Sequence, residues 1–319
     1  MGSQRFWQII WPAVILAAGL LPGGMAQAGQ AYVTNQGSES VSVVDLSTFK
    51  VTAEIKVAGH PAGIAVVPGG ALAFVSAPDA HDIAVIDTAS NTILRRIEIG
   101  GGPLGIAVDP SGARVYAADW YSKRLVVVDP QAGTILAEVE AGQSPSGIAV
   151  TPDGLYVLTA DRDSDTVSIV AAAAMTRVAQ VKVGSRPFGI TLSADGAYAY
   201  TANVGSDDVS VIDVAKRAVV ATVGVGRRPY AVALTATQAF VTDQYGGTVS
   251  VIDIATHKKV ASIPVCDHPE GIAYDGESGS IYVACWFDNE LIRIDAASLK
   301  VTGKVAVGDG PRAFGAFLR

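Results

Sequence analysis

Residues 103–142 read PLGIAVDPSGARVYAADWYSKRLVVVDPQAGTILAEVEAG. Short runs dominated by Val, Ile, Leu, Ala and Tyr alternate with turn-forming groups such as DPSG, where Pro pre-sets one backbone angle and Gly supplies another. The runs are too short and too often broken for helices, and their order predicts four antiparallel strands, A to D, in one small sheet. The rest of the chain repeats this unit. VSVVD 41–45, IAVID 83–87, LVVVD 125–129, VSVID 209–213, VSVID 249–253 and LIRID 291–295 each end strand C on an aspartate, with spacings of 42, 42, 84, 40 and 42 residues. The gap of 84 spans a skipped copy, VSIVA at 167–171. Repetition at this period marks the blades of a β-propeller.

Strand A opens on a proline in PAGIAV 61–66, PLGIAV 103–108, PSGIAV 145–150, PFGITL 187–192, PYAVAL 229–234 and PEGIAY 269–274. Strand B ends in a tetrad such as YVTN 32–35, YTAN 200–203 or FVTD 240–243. Residues 29 onward begin at strand B, and GPRAFGAFL 310–318 is a strand A with no strand B after it. The chain is therefore predicted to form an all-β, seven-bladed propeller of four-stranded antiparallel blades. Its C-terminal strand pairs with the N-terminal blade, which closes the ring and removes the open edges.

The repeat, with its literal YVTN at 32–35, resembles the YVTN family of secreted seven-bladed β-propellers. The resemblance covers residues 29–319. It implies a periplasmic or surface binding or accessory protein; more distant relatives of similar architecture include lactonases and the heavy subunits of quinone-dependent amine dehydrogenases. A fold with that range of uses does not by itself settle an activity.

Residues 1–28 carry Arg5, the apolar IIWPAVILAAGLL and a small-residue AQA at 26–28, the pattern of a secretory signal cleaved after Ala28. The domain reading is thus a signal peptide at 1–28 and the propeller at 29–319, with a periplasmic or secreted location and no membrane span after cleavage. The net charge of −7 gives no electrostatic reason to seek nucleic acid or an anionic membrane.

Antiparallel order puts the D–A and B–C connections on one side of the disc. Strand A lies nearest the axis, so residues flanking its proline surround the channel mouth. Before the prolines stand His60, Gly102, Ser144, Arg186, Arg228, His268 and Gly310; after them stand Ala62, Leu104, Ser146, Phe188, Tyr230, Glu270 and Arg312. Two His and several Arg beside one opening of an acidic protein suit an anionic ligand or an acidic partner surface. The tetrads end in Asn35, Ala77, Asp119, Asp161, Asn203, Asp243 and Cys285, where Asn and Asp are expected to start the B–C turn by bonding backbone N–H groups. Trp120 and Trp286 follow that position in ADWYSKR and ACWFDNE as candidate contact aromatics. The candidate site is His60, Asp119, Trp120, Arg186, Arg228, Tyr230, His268, Glu270, Trp286 and Arg312.

The only cysteines, Cys266 and Cys285, fall in one blade and on this face. Cys285 replaces the tetrad's Asn or Asp, and Cys266 replaces a residue that is Gly in five other units (Gly100, Gly142, Gly184, Gly226 and Gly308) and Ala58 in the sixth. Paired departures indicate a disulfide between strands A and B, which an oxidising compartment allows. The alternative is a copper or zinc site of Cys266, His268 and Cys285, since thiolate and imidazole suit both metals; otherwise no cofactor is expected.

GGGPLG 100–105 matches G-x-G-x-x-G but opens a strand rather than a helix, so it implies no dinucleotide site. No P-loop, H-E-x-x-H pair or G-x-S-x-G elbow is present. The leading expectation is a non-catalytic binding or accessory protein, serving a small anionic ligand or a periplasmic partner protein, in the setting of a redox or metal-handling system. The rival is a lactonase-like hydrolase with Glu270 or Asp243 at the channel mouth.

Overall fold

In a computed structural model, residues 29–67 and 69–319 are described. The signal-peptide reading at 1–28 lies outside them. Seven antiparallel sheets follow one another around a ring, as the repeat requires. Blade 3 is representative, with strands Pro103–Val108, Val115–Asp119, Arg124–Asp129 and Thr134–Glu140 in spatial order from axis to rim. Among the described residues, helical structure is confined to two single 3₁₀ turns, Pro78–Ala80 and Arg162–Ser164. No helix among them is long and apolar enough to cross a membrane.

Burial explains why the strands differ in composition. A middle strand is sandwiched between neighbouring blades, so both of its faces must be apolar; Ser280–Cys285 is buried at every position. The outermost strand has one neighbour only. In Lys50–Lys56 just Ile55 is buried, and charged residues blunt the free edge. At the C–D turns the aspartates closing strand C act as turn caps. Asp45 accepts from the Thr48 amide at 2.7 Å and from the Ser47 hydroxyl at 2.7 Å, and Asp87, Asp253 and Asp295 repeat the arrangement.

The ring closes through the C-terminal segment. It bonds strand B of blade 1 at both ends: the Tyr32 amide donates to the Phe317 carbonyl at 2.9 Å, and the Arg312 amide to the Thr34 carbonyl at 2.7 Å. Between these anchors, Phe314–Ala316 leans across and pairs in parallel with Gly63–Ala65 of blade 2. Gly315 permits that approach, since a Cβ on it would stand 2.4 Å from the Ile64 carbonyl oxygen; Gly63 serves the next contact around the ring, where a Cβ would stand 2.2 Å from the Leu104 carbonyl oxygen of blade 3. The closing strand therefore ties together blades 1 and 2.

Candidate functional site

The proline that opens strand A sets the geometry of the mouth. It pairs with the last residue of strand B, as in Pro103 with Asp119 and Pro229 with Asp243, and pairing resumes at Ile106 with Ala117 and at Val232 with Val241. Two strand-A residues thus oppose one on strand B, and this bulge turns the residue after each proline toward the axis. The small residue that follows allows neighbouring strands to crowd there: a Cβ on Gly105 would lie 1.8 Å from the Ser146 carbonyl oxygen.

These axial side chains meet and close the channel rather than surrounding an open mouth. Phe188 stacks against Tyr230 with centroids 4.6 Å apart, and Phe314 lies 5.0 and 5.4 Å from those rings. Ala62 and Leu104 complete the apolar plug. Below it a cavity of about 990 Å³ runs between the strand-A backbones to the opposite face. Above it lies a cavity of about 380 Å³ on the D–A and B–C side.

Beside the plug sits a buried charged group. The Glu270 carboxylate is 2% exposed; it accepts from Gln244 Nε2 at 2.7 Å and faces Arg312 Nε at 3.1 Å. The ion pair is not aligned as a hydrogen bond, and the buried Tyr230 hydroxyl likewise has no aligned partner. Burial pushes the Glu270 carboxyl above its ordinary range, against the pull of Arg312 and the bond from Gln244. Burial also drives the Tyr230 phenol well above its usual value, so it stays protonated.

The wall of the upper cavity comes from the residue after each tetrad. Gln36, Pro78, Trp120, Arg162, Val204 and Gln244 all line it. Their backbones explain the placement: the amides of Gln36, Trp120, Arg162, Val204, Gln244 and Trp286 donate to the carbonyls of Gly310, Gly102, Ser144, Arg186, Arg228 and His268, the residues before the prolines. Three arginines stand on aromatic rings around this wall. Arg228 lies 4.3 Å from the Tyr245 centroid, Arg312 4.7 Å from Trp286 and Arg162 5.4 Å from Trp120. A guanidinium that gives its face to a ring keeps its N–H edges for an anion. Arg312 is neutralised by Glu270 and Arg162 by Asp163 at 2.8 Å, whereas Arg228 makes no ion pair among the described residues.

The tetrad-ending residues have a different role from the one their sequence suggested. Asn35, Asp119, Asp161, Asn203 and Asp243 are fully buried. The three aspartates accept from the D–A loop backbone and from strand C, while the two asparagines bond strand-C serines, Ser42 and Ser210, that accept from the loop amides of Gly308 and Gly184. Asp243 accepts from the Gly226 amide at 2.9 Å, from Thr248 and Ser250 at 2.7 Å each, and Asn203 donates to Asp208 and Ser210. Only Asp119 also bonds the turn amides of Tyr121 and Ser122. Burial opposes ionisation of Asp161 and Asp243 and leaves both above the ordinary aspartate range. Asp119 sits below it, because the Gly102 amide and Arg124 outweigh the burial.

The lock explains the glycines. A Cβ on Gly226 would be 2.3 Å from Asp243 Cγ, and one on Gly142 2.5 Å from Asp161 Cβ. The blade with no Asn or Asp has alanine at both positions, Ala58 and Ala77, and the remaining blade has Cys266 and Cys285. These two form a disulfide, with Cα atoms 6.0 Å apart. It is the covalent form of the same lock. The copper or zinc alternative is not what the chain builds, since the two sulfurs bond each other and His268 Nδ1 turns to Asp267 at 2.6 Å. Among the described residues no three His, Cys, Asp or Glu are grouped to hold a metal ion.

Of the residues singled out from the sequence, Trp120, Arg228, Tyr230 and Arg312 line the upper cavity. Glu270 and Trp286 hold Arg312 from either side. His268 packs between Tyr245 and Phe287, and His60 pairs with Asp79 at 2.9 Å. Arg186 points to solvent outside the cavity, and Asp119 is turned inward with no exposed surface. Asp243, the other acid of the hydrolase reading, is enclosed in its lock. Gln36, Arg162, Gln244 and Tyr245 were missed. The signal for the first three was the position after each tetrad, read only where it held tryptophan.

The chain belongs to the YNCE-like β-propeller family, whose model matches residues 23–114 and 125–317. Solved structures share the fold. A chain of Kuenenia stuttgartiensis hydrazine synthase superposes with a TM-score of 0.73 at 21% identity, over 80% of this chain and 89% of that one. A functionally unknown protein from Desulfotomaculum acetoxidans gives 0.77 at 16% identity, over 90% and 99%. Dihydro-heme d1 dehydrogenase NirN in complex with DHE gives 0.66 at 13% identity, over 91% and 74%. No curated protein matches the chain.

Proposed function

With membership of the YNCE-like family as the premise, we propose that this propeller is an exported, non-catalytic binding or accessory protein. It takes an anionic ligand, or an acidic segment of a partner protein, at the upper cavity. The observation that carries the reading is Arg228: its guanidinium is fixed on Tyr245, borders a cavity of about 380 Å³ and has no ion pair among the described residues. A cavity of that size falls within the ~300–1,000 Å³ common for small-molecule sites. The buried Glu270–Arg312 pair serves as the fixed floor beside it and needs no turnover to account for its presence.

The test is thermal unfolding of the purified protein with a panel of small carboxylates, inorganic phosphate, sulfate and a short single-stranded oligonucleotide, for the wild type and Arg228→Gln. Stabilisation of the wild type by one class of anion, lost in Arg228→Gln, supports the reading. Stabilisation by the oligonucleotide alone would replace the small-ligand reading with nucleic acid. No shift with any anion, or equal shifts in both proteins, would overturn it.

A further inference from the structure

We propose that the ligand of the upper cavity is an aryl monocarboxylate, one or two rings in size, held by its carboxylate on Arg228 and by its ring on Phe188 and Tyr230. This rests on the reading of the upper cavity as an anion site and narrows it to a chemical class.

The charge count selects a monoanion. Three guanidinium groups border the cavity, but Arg312 is matched by Glu270 and Arg162 by Asp163. Asp79, the carboxylate on the rim, lies 2.9 Å from His60 Nδ1. Arg228 is the one guanidinium bordering the cavity with no ion pair among the described residues, so the site offers a ligand a single cation. A second anionic group on a ligand would have to displace Glu270, which is buried and bonded to Gln244. A phosphate dianion or a dicarboxylate would therefore leave charge uncompensated in a low-dielectric site.

The floor selects an aromatic body. Leu104, Phe188 and Tyr230 form it, and Trp120 and Tyr121 rise on one side. The plug already uses tilted and edge-to-face aromatic contacts, with Trp120 and Phe188 at 6.2 Å and 62°. Another ring can join this arrangement with centroids about 4.5–7 Å away. An aliphatic acid would bury similar apolar area without those contacts.

The arrangement of groups also explains why Arg228 is fixed before a ligand arrives. Its backbone amide donates to Asp207 at 2.7 Å, its carbonyl accepts from Gln244, and its guanidinium rests on Tyr245. Little side-chain freedom is left to lose on binding, which favours affinity for a small ligand.

Calorimetric titration with 2-naphthoate, its neutral isostere 2-naphthamide, decahydro-2-naphthoate and phosphate tests the class. Tryptophan fluorescence serves as a second readout because Trp120 lines the cavity. For the wild type, 2-naphthoate is expected to bind at least about tenfold tighter than 2-naphthamide, the scale of one charged hydrogen-bonding contact. It should also bind several-fold tighter than the saturated acid. Arg228→Gln should remove the preference for the acid, and Trp120→Leu should lower affinity for both naphthyl compounds while keeping it. Equal binding of acid and amide by the wild type, or unchanged 2-naphthoate affinity in Arg228→Gln, overturns the proposal. Arg228-dependent binding of phosphate or the saturated acid with none of 2-naphthoate overturns the aryl class and leaves the anion site standing. No binding of any anion to the wild type overturns both.

Discussion

Glu270 and Arg312 sit on adjacent blades, 2% and 19% exposed in their side chains, and among the described residues each makes its ion pair with the other beside the upper cavity. Removing one partner of a buried pair leaves an uncompensated charge, at a cost of about 3–5 kcal/mol. Glu270→Ala is therefore expected to lower the unfolding free energy in urea by about 3 kcal/mol, and adding Arg312→Met should recover part of the loss. A loss below ~1 kcal/mol in the single variant would contradict the enclosed pair. The positions of Arg228, Tyr230 and Arg312 were readable from the sequence, because each is fixed by its distance from a strand-A proline. Their pairing was not. Nothing in a single repeat indicates that Arg312 turns to Glu270 while Arg228 is left free, since that choice depends on side chains from three different blades meeting at the axis.

Between elements, the D–A loop and strand B are joined in five blades by a buried Asn or Asp packed against glycine-containing loop backbone and in one by the disulfide, while the seventh carries Ala58 and Ala77 at the two positions. The spacing of 19 residues between Cys266 and Cys285 corresponds to about 3 kcal/mol in the chain-entropy description of a cross-link. Cys266→Ala/Cys285→Ala should lose about that much stability and still fold, because Ala58 and Ala77 hold the same two positions in blade 2. Cys266→Gly/Cys285→Asn should not restore it, because the strand-C serine that Asn35 and Asn203 bond, Ser42 and Ser210, is Ile292 in this blade. An oxidised wild type no more stable than the alanine pair in calorimetry would show that the bond is not a brace. The pairing was legible because both departures fall in one unit. The lock itself was not, because an Asn or Asp at a strand end is equally suited to a turn, and the choice is made by Ser and Thr on the neighbouring strand C.

Across the whole molecule, stability depends on the ring being closed. Phe317 is fully buried against blade 1, and its carbonyl accepts from the Tyr32 amide. Phe317→Ala is expected to cost about 3–5 kcal/mol; a loss under ~1 kcal/mol would show that the ring does not depend on this strand. The seven-blade architecture and its closure were legible because the strand-C aspartates count the blades and the unmatched strand A sits at the C-terminus. The lean of Phe314–Ala316 onto blade 2 was not, because it depends on the close approach of Gly315 to the Ile64 carbonyl in space. Acid should weaken the four blades whose C–D turns are capped by Asp45, Asp87, Asp253 and Asp295. Asp45, Asp87, Asp253 and Asp295 are held below the ordinary aspartate value of 3.8, by the amide and then the hydroxyl they accept from at Thr48 and Ser90, and by the hydroxyl and then the amide at Thr256 and Ser298. The folded state thus binds fewer protons than the unfolded chain, so their contribution is present above that pH and is lost as the pH falls through their folded values. The melting temperature should fall on acidification below about pH 4, and a flat profile there would contradict the turn caps. The claim that joins these scales is that one arginine makes the upper cavity an anion site. Its most direct test is calorimetric titration of the wild type, Arg228→Gln and Arg186→Gln with 2-naphthoate. The account predicts that binding to the wild type is lost by Arg228→Gln and kept by Arg186→Gln, whose exposed side chain does not line the cavity; no binding to the wild type, equal losses in both variants, or none in Arg228→Gln, would contradict it.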